Sequence, residues 1–86
     1  MDKTREIIAK GKRAEELLEE PLIVEAFEEI ERAYIDGWKS SKARDAEGRE
    51  QLFLAINILN NVREHLKAAI RDGKLEKATL AFNNPE

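Results

Sequence analysis

Apolar residues recur along this chain with the period of an α-helix and not of a strand. Ile23, Phe27, Ile30, Tyr34 and Trp38 are spaced 4, 3, 4 and 4 apart, which places them on one helical face, with Leu22 and Val24 widening it. Glu25, Glu28, Glu29, Glu31, Arg32 and Asp36 fill the other side. A second series, Leu52, Ile56, Leu59, Val62, Leu66, Ala69 and Ile70, forms a longer seam of the same kind. A partial stripe of Ile7, Ile8, Ala14, Leu17 and Leu18 precedes both, interrupted by Gly11, which costs a helix about 1 kcal/mol relative to alanine.

The punctuation divides these patterns into three helices. Asp2 or Thr4 can cap the first, over about 3–20. Pro21 lacks an N–H and suits the first turn of a new helix, so the second is expected over about 21–40. The polar segment 40–44 makes the loop, and Asp45 is a ready N-cap for a third helix over about 46–72. Gly73 then reads as its C′ residue, with Lys67 and Arg71 near the negative end of the helix dipole. So short a loop forces the second and third helices to lie antiparallel. The expected fold is all-α: an antiparallel helical hairpin with an additional N-terminal helix. Residues 1–75 would make a single helical domain, and 76–86 a partly disordered C-terminal tail.

Composition narrows the function classes. Eighty-six residues make one small domain with a modest core, without cysteine and with a single histidine, His65. The formal net charge of −3 is unevenly spread: nine acidic residues and one basic between Glu15 and Asp36, against five basic and three acidic between Arg63 and Lys77. Direct nucleic-acid binding is not expected, since it needs a concentrated basic surface. No apolar run suits a membrane span or a leader, so a soluble, cytoplasmic protein is expected.

Candidate chemistry is sparse. Ser40, Ser41, Thr4 and Thr79 stand outside any nucleophile motif, and His65 lacks further histidine or cysteine ligands, so no catalytic, cofactor or metal site is expected. Lys12 and Arg13 after Gly11 do not make a phosphate loop. Glu15 with Glu19, and Glu16 with Glu20, share faces at i and i+4, and with Glu25, Glu28 and Glu29 they form an acidic surface. Phe53, Leu54 and Ile58 fall off the main seam of the third helix, and the first helix, a second copy of the chain, or another protein would have to cover them. Asn57, Asn60 and Asn61 could fix the register of such an interface. The partner-binding candidates are therefore Phe53, Leu54, Ile58, Glu15, Glu19, Glu25, Glu28 and Glu29, in a protein expected to form a homo-oligomer.

Several motifs then stand in order: Ala14-Glu15-x-Leu17-Leu18, Pro21-Leu22-x-Val24-Glu25-Ala26-Phe27, Trp38-Lys39, Asp45-x-Glu47-x-Arg49-Glu50 and Asp72-Gly73-Lys74-Leu75. With them, the stretch from Gly11 to Leu75 resembles a group of small helical proteins encoded among the head-assembly genes of tailed bacteriophages and prophages. That resemblance implies a virion or assembly role, in the host cytoplasm or on the virion, with a phage structural protein as partner, and carries no catalytic residues. The alternative expectation is a small acidic inhibitor of a host defence or nucleic-acid enzyme, of the anti-CRISPR or DNA-mimic type, whose carboxylates lie where phosphates would.

Overall fold

The computed structural model describes residues 2–83, the side chain of Asp2 excepted. It is all-α: α1 spans Asp2–Glu19, α2 Pro21–Ser40 and α3 Ala46–Asn83, with no strand among the described residues. No helix is long and apolar enough to cross a membrane among those residues. The contacts group the described residues into two compact units: 2–20 with 64–83, and 21–63. α3 contributes its first part to the hairpin unit and its remainder to the other.

The hairpin unit forms as the periodicity predicts. Pro21 opens α2, and because it has no N–H to give, the carbonyl of Leu17 accepts the Glu20 N–H instead, at 3.3 Å. α2 ends where the Ser40 and Ser41 hydroxyls donate to the carbonyls of Asp36 (2.9 Å) and Trp38 (2.6 Å), satisfying groups that the helix leaves open. Asp45 caps α3: its Oδ1 accepts the Gly48 N–H at 3.0 Å while its carbonyl takes the Arg49 N–H, also at 3.0 Å. Contacts then run in opposing order along the two helices, Trp38 with Arg49, Gly37 beside Leu52, and Glu31 and Phe27 with Arg63, which makes the pair antiparallel.

The other unit is built on a close helix approach. A Cβ placed on Gly11 would lie 2.6 Å from the Ala69 carbonyl oxygen, and one on Gly73 would lie 3.0 Å from the Gly11 Cα. The backbones of α1 and α3 therefore touch where both side chains are absent. Ala14 is 3% exposed beside this crossing, and the Thr4 hydroxyl reaches Glu76 at 3.1 Å. Gly11, Ala14 and Gly73 are the only buried residues among those described.

Three expectations are corrected here. α3 does not stop at Asp72 but continues to Asn83, so Gly73 is no C′ residue, and Lys67 and Arg71 lie well inside the helix. The physical reason is that Gly73 is held helical by its contact with Gly11, with no positive φ at any glycine. Residues 76–83, expected in the tail, belong to α3, while 84–86 lie outside the described residues. Thr4 lies within the first turn of α1 and bonds to α3, and the Asp2 side chain, the other candidate cap, lies outside the described residues.

Candidate functional site

Two arginines of α3 hold the hairpin seam together at its two ends. The Arg49 guanidinium lies 4.5 Å from the centre of the Trp38 ring and donates to the Ser41 hydroxyl at 3.0 Å, tying the loop to both helices. Arg63 repeats the arrangement, 5.2 Å from the Phe27 ring and 3.0 Å from Glu31 Oε2. The periodicity places Glu31 on the solvated face, but in the structure it is half-buried and turned to the seam. Arg63 supplies the reason: its guanidinium gives the partly shielded carboxylate a charge-assisted hydrogen bond that offsets the water it loses. Neither arginine was legible as a clamp, because sequence spacing within α3 says nothing about the aromatic ring opposite.

Successive helical residues lie about 100° apart, so these contacts fix which residues fall on each side of the hairpin. One side carries both arginine clamps together with Phe53. It also carries a shallow groove along α2 lined by Glu28, Glu31, Arg32, Ile35, Asp36 and Lys39. The opposite side is apolar: Leu22, Ala26, Ile30 and Ala33 from α2 lie beside Leu54, Ile58 and Val62 from α3. Phe53 is five residues, or about 140°, from Ile58, so the three apolar candidates do not form one surface. Leu54 and Ile58 go with Val62, and Phe53 stands apart from them.

Exposure makes this side conspicuous. Leu22 is 68% exposed, Ile58 63%, Leu54 51%, Val62 46% and Ile30 43%. No residue of the hairpin unit is buried at all. In α1, Ala14 is buried and Ile7, Ile8, Leu17 and Leu18 are half-buried.

The acidic candidates are divided between the units. Glu15 is bridged to Lys74 at 3.4 Å and Glu16 to Arg13 at 3.4 Å, with Glu19 exposed nearby on α1. Glu25, Glu28 and Glu29 are exposed on α2, where Arg32 and Lys39 interrupt them. Beside the glycine crossing runs a cavity of about 210 Å³, floored by Gly11 and Gly73 and edged by Lys12, Lys74, Lys77 and Glu15. That is smaller than the roughly 300 Å³ at which small-molecule sites begin.

The hydroxyls of Thr4, Ser40 and Ser41 are engaged in the fold, on Glu76 and on the carbonyls of Asp36 and Trp38. His65 is exposed on α3. Among the described residues, no three histidine, cysteine or carboxylate side chains come together as a metal site would require. Comparison with protein-family models, curated proteins and solved structures gives no match for this chain.

Proposed function

We propose that this chain is a non-enzymatic assembly protein of a phage-like particle, acting through helix-to-helix contact with copies of itself and with a larger structural protein. The observation that carries the reading is the apolar side of the hairpin, with five large side chains between 43 and 68% exposed and nothing buried beneath them. A surface of this kind on so small a protein is an interaction surface. The Ser40 and Ser41 hydroxyls serve the hairpin's own helix end. The particle setting rests on the ordered motifs between Gly11 and Leu75.

An acidic inhibitor that presents carboxylates in place of phosphates has less support. It draws on Glu19, Glu25, Glu28 and Glu29, but Glu15 and Glu16 are bridged to basic groups, and the α2 face mixes both signs. The deciding experiment is purification of particles and their precursors from cells with and without the chain. The chain should co-sediment with a precursor, and its removal should reduce completed particles. Normal particle yield without it, together with exclusive recovery on a host enzyme, would reject the assembly role.

A further inference from the structure

We infer that the apolar side of the hairpin, Leu22, Ala26, Ile30 and Ala33 with Leu54, Ile58 and Val62, docks onto the same side of a second copy of the chain. The two copies would form a four-helix core about a two-fold axis parallel to the helices. The inference rests on the self-contact part of the reading above and names the surface and its occupant.

Three features point to a copy of the chain as the occupant. Large residues at i, i+4 and i+8 form a ridge on α3, and α2 presents the smaller Ala26 and Ala33 beside Leu22 and Ile30. A two-fold parallel to the helices lays the ridge of each copy against α2 of the other. The charges agree with that pairing and oppose the alternative. The run from Gln51 to Val62 contains no charged residue in a chain that is 38% charged, whereas the outer edge of α2 carries Glu25 and Glu29. Pairing α2 with α3 of the copy sets Glu29 level with Asn61, whose amide can donate to it. Pairing α2 with α2 would bring like charges together. The area also suffices. Five large side chains and two alanines expose roughly 500 Å² per copy, so two such sides offer up to about 1,000 Å² before their polar rims are counted, close to the lower bound of a specific interface.

The test combines light scattering across micromolar to millimolar concentration with cysteine cross-linking, which is clean because the chain has no cysteine of its own. The unaltered chain should be a dimer. Ala33→Glu and Ile58→Glu should each weaken dimerisation more than tenfold while the helical circular-dichroism signal is kept. Phe53→Glu, on the opposite side, should leave it unchanged. The double variant Ala33→Cys/Ile58→Cys should yield a covalent dimer under mild oxidation, and neither single variant should. A monomer throughout the range overturns the inference, even if that monomer still enters particles through the same surface, in which case the assembly role survives. A dimer that only Phe53→Glu dissolves, or one that Ala33→Cys alone cross-links, overturns the surface or the axis. A dimer of the stated kind that never meets a particle leaves the inference standing and removes the assembly role.

Discussion

A methyl group on Gly11 would meet the Ala69 carbonyl oxygen at 2.6 Å, with backbone on every side. Gly11→Ala gains about 1 kcal/mol of helix propensity but forces α1 and α3 apart, an overpacking cost of about 1–3 kcal/mol. The variant should therefore be less stable by chemical denaturation. Gly73→Ala, whose nearest atoms stand at 3.0 and 3.2 Å, should lose less. Asp45 and Gly48 show a different coupling. Asp45→Ala removes the cap and should cost about 1 kcal/mol. A Cβ on Gly48 would collide with the Asp45 carboxylate and push it off that cap. Gly48→Ala should consequently be near neutral alone and stabilising by about 1 kcal/mol in the Asp45→Ala background. Additive effects in a double-mutant cycle would disprove the coupling. Asp45 was legible from sequence, because a cap acts on residues three positions away. The glycines were read through local propensity, which gave Gly11 only a cost and Gly73 a terminus.

At the scale of elements, α2 and α3 are joined by a seam that shields little, so its two arginine clamps matter more than they would over a thick core. Arg63→Ala removes the ring contact with Phe27 and leaves half-buried Glu31 without its charge partner, at a cost of about 1–2 kcal/mol. Glu31→Gln keeps a hydrogen-bond acceptor and should cost less than half as much in thermal melts. Arg49→Lys should also destabilise, because an ammonium cannot both lie flat on Trp38 and reach Ser41 as the guanidinium does. The antiparallel pairing of these helices followed from two periodic stripes and a short loop. The clamps did not, since each depends on the register across the seam.

For the molecule as a whole, a dimer would make stability depend on concentration. Raising the protein a hundredfold should raise the melting midpoint by roughly 5–10 °C, as mass action requires of a folded state completed by association. A midpoint independent of concentration would show that the hairpin unit is stable with its apolar side in water. The acidic residues illustrate the same limit of sequence reading. Their number suggested one continuous surface, but Glu15 and Glu16 belong to one unit and Glu25, Glu28 and Glu29 to the other, and several are matched by basic neighbours.

The chain by itself determined where α2 and α3 begin, at Pro21 and after the Asp45 cap, and the antiparallel hairpin. All of these arise from groups a few residues apart, where the 3.6-residue turn and hydrogen-bond geometry leave few options. Tertiary structure decided that Gly73 continues a helix and that Glu31 turns inward to Arg63. Each of those outcomes depends on which backbone or ring lies opposite, a distance that no local period encodes.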